Sequence, residues 1–334
     1  MEIIFEIPIR QFLYEKKCNR LIDIPDSYWS SLASQNYSSV WLLGIWQISP
    51  ISLQHALEYY PDQIVFGSCF AIEDYTLDQA FVNSLELEQL KTKLNKLGLK
   101  LILDFIPNHF GISRKLLNQN PKIFLESDSR DFVFEYNQKK YANAKDPYFE
   151  PWTDTLQLDY TKQETHEFMS QKLMGISELC DGVRCDMAML LLPEIFSITH
   201  KVKSEQVLDF WQPTISRIKE LNSNFLFIAE VYWGLENQLL DLGFDLVYNK
   251  QFLDNLKSNN LDIAKLQSEN PRYLVFLENH DEERSTAIFD DHKLAEYTQL
   301  LWDCKASKLL YYGQDKKRTD KTIIQIPFVN SINR

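Results

Sequence analysis

A chain of 334 residues has room for one large α/β barrel or two ordinary domains, and its 45% hydrophobic and 25% charged content is that of a globular protein. Its net charge of −12 excludes polyanionic partners, because nucleic-acid phosphates and anionic membrane surfaces would both be repelled. Five scattered cysteines (Cys18, Cys69, Cys180, Cys185 and Cys304) with no CxxC pair exclude a zinc ribbon and a disulfide framework.

The first segment, MEIIFEIPIRQFLYEKK, carries an acid at Glu2 and lacks the basic start and long apolar core of a secretion signal. No later run reaches the length of a membrane span, so the expected location is cytoplasmic. Eight apolar runs read as strands: residues 3–9, 39–46, 99–106, 182–185, 225–229, 244–248, 273–277 and 308–312. Between them, amphipathic stretches at 84–97, 163–179, 210–221 and 292–302 read as helices. In the first of these Leu87, Leu90, Leu94 and Leu97 recur at helical spacing, and Gly98 supplies a stop. This alternation predicts an α/β fold, a (β/α)8 TIM barrel. The interval at about 110–161 is polar, aromatic and too long for a plain loop. It reads as a short excursion after the third strand, a small inserted subdomain in a single catalytic barrel spanning 1–334. Neither GxGxxG nor a Walker pattern occurs, which weakens nucleotide readings.

Four motifs end predicted strands with ionisable groups: DFIPNH (104–109), DGVRCD (181–186), FIAE (227–230) and FLENHD (276–281). A parallel barrel gathers its strand ends around one mouth, which would bring Asp186, Glu230 and Asp281 together. Arg184, two residues before Asp186, points to the same side and is expected to lower that carboxyl's pKa, as a nucleophile needs. An ordinary ion pair at a strand end gives the same pattern. Glu230 ends an apolar run, which predicts a raised pKa and suits a general acid; a mouth glutamate paired to a cation is the plainer alternative. Asp281 is placed to stabilise oxocarbenium charge, with His280 and His109 as donors to sugar hydroxyls. The two histidines lie on distant segments without metal-ligand spacing, so no metal site is expected from them. Trp46, Trp152, Tyr232 and Trp233 are candidates for sugar stacking, although core packing explains any one of them as well.

The order DxxxNH, GxRxD, E, NHD resembles the four signature regions of the α-amylase superfamily (glycoside hydrolase family 13), whose members are retaining glycosidases and transglycosylases. The likeness extends to WLLGIWQ (41–47) and YYGQ (311–314). It implies Asp186 as nucleophile, Glu230 as acid/base and Asp281 as transition-state stabiliser. Arg184 would orient the nucleophile, and His109 and His280 would contact the sugar. Asp104 and Asn108 would support the substrate site, and Phe70 would take the place of an aromatic platform that is usually tyrosine. The implied substrate is an α-glucan oligosaccharide or a disaccharide, with no required cofactor. Calcium is raised only by Asn108 and Asp159, which match two positions of a site seen in relatives, and two oxygens fall short of a site.

Three features depart from the family pattern. Met187, Ala188, Met189 and Leu190 replace a Lys–His pair found in many starch-cleaving members, which puts ordinary polysaccharide endo-hydrolysis in doubt. The excursion is short. The segment 315–334 has no room for the usual C-terminal β-domain, and the last barrel helix is expected to be missing or reduced. That would expose apolar strand surface: either a protein partner or a dimer covers it, or this is a minimal or truncated member of the family. The alternative reading is a catalytically inactive barrel of the same superfamily that binds carbohydrate or a partner.

Overall fold

Eight parallel strands close into a barrel with neighbours in chain order, as the alternation predicted. They are β1 (Ile3–Pro8), β2 (Ser39–Leu43), β3 (Lys100–Phe105), β4 (Gly182–Cys185), β5 (Leu226–Ala229), β6 (Leu246–Tyr248), β7 (Tyr273–Val275) and β8 (Ser307–Tyr311). β1 closes the ring by pairing with both β2 and β8. This computed structural model describes residues 1–321 and 323–326. Every residue of β2, β4, β5, β6 and β8 is buried, as a parallel sheet covered on both faces requires. The register sets Arg184 beside Asp104 on one side and Ile228 on the other, and sets Glu6 beside Trp41.

Helices α1 (Ile9–Lys16), α2 (Ser84–Lys96), α3 (Gln163–Leu179), α4 (Trp211–Leu221) and α5 (Asp291–Asp303) belong to the outer layer. α2 buries Leu87, Leu90 and Leu94, the residues whose spacing predicted it. Its first turn is closed reciprocally: Glu86 N donates to Asn83 Oδ1 at 3.0 Å, and Asn83 N donates to Glu86 Oε2 at 2.9 Å. Caps of this kind contribute roughly 1 kcal/mol. Gly98, with φ of 78°, then turns the chain into β3. No helix among the described residues is long and apolar enough to cross a membrane.

The excursion after β3 is built from two antiparallel pairs. His109–Gly111 pairs with Thr155–Gln157, and Val133–Tyr136 forms a hairpin with Lys139–Ala142. Asn137 and Gln138 both take left-handed angles at the hairpin turn, which matches the twist of the strands. Gly111 lets the excursion sit directly on the loop after β2. A Cβ there would lie 2.4 Å from Ala71 O and 2.6 Å from Ser49 Cβ.

One expectation is corrected. The outer face of β8 is not an exposed apolar strand: Leu310 and Tyr312 are 6% and 5% exposed. The Tyr312 ring packs edge-on to Phe12 of α1 at 5.2 Å, and Arg318 reaches over it, held by Glu15 at 2.7 Å. The chain covers this face itself, which removes the reason for invoking a partner or dimer there. Of the expected tail at 315–334, residues 322 and 327–334 lie outside the described residues.

Candidate active site

The backbone carries two carboxylates one step beyond their strands. Asp186 N donates to Phe105 O at 2.8 Å, and Glu230 N donates to Cys185 O at 3.0 Å, so the ladder continues through both residues. Met187 then takes a left-handed conformation, φ 42°, which costs a residue with a Cβ on the order of 1–3 kcal/mol. That turn aims Met187 N at Glu230 Oε2, 2.7 Å away, and brings Ala188 N to Glu230 O at 2.9 Å. Asp281 is fixed differently: Asn279 Oδ1 accepts from Asp281 N and Glu282 N, a local turn beyond β7.

Asp186, Glu230 and Asp281 line one cavity of about 320 Å³, together with Phe70, His109 and Trp152. A larger hollow of about 470 Å³ lies on the barrel flank between α3 and α4. It holds His166, Asp209 and Arg217 but none of the strand-end carboxylates. Behind the first cavity sits Arg184, fully buried. Its Nη1 is 2.8 Å from Asp186 Oδ1, and its Nη2 is 2.6 Å from Glu230 Oε2. Asp104 Oδ1 lies further off, 3.7 Å from Nη1. Tyr232 donates its hydroxyl to Glu230 Oε1 at 2.8 Å. His280, in the loop after β7, stands between two carboxylates: Nδ1 is 2.6 Å from Glu6 Oε1 on β1, and Nε2 is 3.1 Å from Asp281 Oδ2 of the neighbouring residue.

Burial dominates the electrostatics. It pushes Asp186 above the usual carboxylate range even though Arg184 pulls the other way. The expected lowering at Asp186 is therefore corrected, because full desolvation and the nearby Asp281 charge outweigh one guanidinium. Glu230 rises to about 6 through burial and through Asp186 and Asp281, against Arg184 and the Met187 N–H. Asp104 rises to about 7, chiefly by burial. Asp281 moves the opposite way. Burial raises it, but His280 and Arg184 bring it down to about 2, and 52% of its side chain faces the open cavity. The histidines also part company. Burial takes His109 down to about 4, leaving it neutral, whereas the charges of Asp281 and Glu6 overcome burial and hold His280 well above the ordinary imidazole range.

Of the nine residues singled out from the sequence, Phe70, His109, Asp186, Glu230 and Asp281 line the cavity. Arg184 and His280 stand behind it and touch the lining carboxylates. Asp104 and Asn108 are turned to other partners. Asp104 Oδ2 accepts from Trp41 Nε1 at 3.2 Å, and Asn108 Oδ1 accepts from Gln157 Nε2 at 2.9 Å. Among the stacking candidates, Trp152 reaches the cavity wall, whereas Trp46 is fully buried and donates to Asp104 O. Tyr232 is committed to Glu230, and Trp233 packs on Tyr148 with ring centroids 4.8 Å apart. Sequence reasoning passed over Glu6, Asp154, Gln157 and the backbone of Met187. The signal for Glu6 was present, since it is the lone charge in the run 3–9.

The calcium pattern does not fit these residues. Gln157 Nε2 donates to Asn108 O, Asn108 Oδ1 and Leu158 O at 2.9–3.2 Å, so an amide nitrogen stands where a cation would need the same oxygens. Asp159 Oδ1 is taken by Thr161 N and Oγ1 within its own turn. Among the described residues no group of three or more His, Cys, Asp or Glu could hold a metal ion.

Comparison with known proteins agrees with this geometry. Residues 40–332 match the family described as the α-amylase catalytic domain. α-Amylase 1 of Lipomyces kononenkoae is 24% identical over 306 residues, which is 81% of this chain but 44% of that protein, so the chain spans less than half of it. Among solved structures, a maltogenic α-amylase from Thermotoga neapolitana superposes with a TM-score of 0.71 at 19% identity, covering 99% of this chain and 72% of that one. An α-amylase from Geobacillus thermoleovorans, solved with acarbose, gives 0.69 at 17% identity, with 99% and 74% covered. With the family matched over most of its length and the barrel shared throughout, the chain belongs to the α-amylase family of glycosidases.

Proposed function

We propose that this protein is an α-retaining glycosidase or transglycosylase that acts on α-glucosidic bonds of oligosaccharides or a disaccharide by double displacement. The observation that carries the reading is the meeting of Asp186, Glu230 and Asp281, from three strand ends, in one cavity. Asp186 Oδ attacks the anomeric carbon while Glu230 transfers its proton to the departing glycosidic oxygen. A β-glycosyl ester on Asp186 results. Glu230, now a carboxylate, takes a proton from water or from an acceptor sugar hydroxyl, whose oxygen displaces Asp186 from the same carbon.

The charge states of Glu230 and Asp281 suit their roles. Glu230, raised to about 6, keeps a substantial protonated fraction in mildly acidic solution. Asp281, brought to about 2 by His280 and Arg184, stays ionised and faces the positive charge that develops at the ring. Because Arg184 spans Asp186 and Glu230, the two are held side by side, which favours the spacing of about 5–5.5 Å used for retention. Phe70 offers a flat face and neutral His109 a hydrogen-bonding edge to the sugar at the cavity floor. All five cysteines are free thiols, which supports a place in a reducing, cytoplasmic compartment.

The test is the configuration of the first product. Proton NMR of maltotriose or maltoheptaose digests should show the α-anomer appearing before mutarotation. Release of the β-anomer first would overturn the retaining assignment. Equal rates for wild type and Glu230→Gln would remove the enzymatic reading altogether.

A further inference from the structure

Glu6 is a carboxylate on β1 that neither the cavity nor the proposed chemistry accounts for. It is fully buried, and its Oε1 receives His280 Nδ1 at 2.6 Å. Its Oε2 has no hydrogen-bond partner among the described residues. Leaving one oxygen of a buried carboxylate without a donor is costly. A glutamine would accept the same Nδ1–H bond without a buried charge, so hydrogen bonding alone does not explain an acid here. On the other side of the ring, His280 Nε2 lies at ion-pair distance, 3.1 Å, from Asp281 Oδ2 without a hydrogen bond between them, and that carboxylate opens into the cavity. Trp41 meets the ring edge-on and Phe70 lies tilted against it, both with centroids 5.5 Å away, so the imidazole has little freedom to turn.

We infer that Glu6 is a positioning residue which, by pairing its charge with Nδ1, holds His280 as an imidazolium whose positive charge, beside Asp281, keeps that carboxylate ionised at the sugar site. In that imidazolium both ring nitrogens keep their protons, one bonded to Glu6 and the other beside Asp281. A neutral residue at position 6 would leave a single ring proton. Accepted at position 6, that proton would leave Nε2 a bare acceptor facing the Asp281 carboxylate. The groups acting on the ring and its partners are Glu6 from β1, Asp104 on β3, Asp186 and Arg184 from β4, and Asp281 in its own loop; Tyr248 on β6 faces Glu6. The pull of Glu6 and Asp281 on His280, greater than the effect of burial, agrees with the geometry.

The inference deepens the proposed glycosidase reading and rests on it for one arm of its test. In protein carrying ¹³Cε1-labelled histidine, the His280 resonance is assigned and followed from pH 5 to 9 in wild type, Glu6→Gln and Glu6→Asp. The expected result is an imidazolium signal for His280 through neutrality in wild type. Glu6→Gln should titrate at least one pH unit lower, and Glu6→Asp should keep most of the wild-type behaviour. In parallel, kcat/KM for 4-nitrophenyl α-maltoside should fall about tenfold more at pH 8 than at pH 5.5 in Glu6→Gln, the size of a one-unit shift. A His280 that is neutral at pH 7 in wild type, or that titrates identically in Glu6→Gln, overturns the inference. The first of those readouts needs no folded variant. Wild-type turnover in Asp186→Asn would sink the glycosidase reading, while the NMR titration would still decide the state of His280.

Discussion

The Tyr232 hydroxyl donates to Oε1 of Glu230 at 2.8 Å, from a side chain two residues further along the same segment. That bond favours the ionised carboxylate and so opposes the burial that raises Glu230 to about 6. A hydrogen bond to a charged group contributes about 1.5–3 kcal/mol, and one pKa unit is about 1.4 kcal/mol. Tyr232→Phe should therefore move the alkaline limb of kcat/KM upward by about one pH unit, with a smaller change in KM. An unmoved limb would show that Tyr232 serves packing alone.

In the proposed double displacement the carboxyls of Asp186 and Glu230 must differ in protonation for the first step. Asp186 has to be ionised, so activity rises as pH passes its raised value. Glu230 has to be protonated, so activity falls as pH climbs past about 6. Initial rates on a maltooligosaccharide should trace a bell whose descending side lies near about pH 6, and the two apparent values belong to the coupled pair. A plateau extending to pH 9 would contradict the assignment of Glu230 as the acid.

Gly111 marks where the excursion touches the barrel most closely. Alanine there would drive a methyl to 2.4 Å from Ala71 O, and backbone cannot yield as a flexible side-chain tip can. Overpacking of this sort costs about 1–3 kcal/mol. Urea unfolding of Gly111→Ala should show a loss in that range. Because His109 lies on the same short strand, kcat/KM should fall as well.

Gln157 fills a cluster of three oxygens with its amide nitrogen. Replacing that amide by a carboxylate turns a donor into a repelled anion unless a cation enters. Gln157→Glu should therefore lose stability in a chelator and regain it on adding millimolar calcium, whereas wild-type unfolding should be the same in either buffer. Thermal melts with EDTA and with CaCl₂ decide this; a variant indifferent to calcium would mean that the oxygens cannot gather around an ion.

Much of the architecture was readable from one dimension. Apolar runs located all eight strands, four of them with ionisable ends, and leucine spacing with Gly98 located α2, because burial face and chain reversal leave local periodic marks. The order of the four motifs then indicated which side chains to look for at the barrel mouth. Other facts had no local mark. The rise at Asp186 despite the adjacent Arg184 depends on how completely the barrel excludes water, which spacing of two residues does not report. Part of the cover over Tyr312 comes from Phe12 of α1, at the other end of the chain.

Glu6 and His280 are separated by 274 positions and touch only because β1 closes the ring against β8. The sequence by itself determined the kinds of group available and the strand ends that carry them, since both follow from composition and period. Only the tertiary structure decided which charges face one another and how far each is removed from water. Coulomb and desolvation energies depend on separation and burial in space, and neither is written in the distance along the chain.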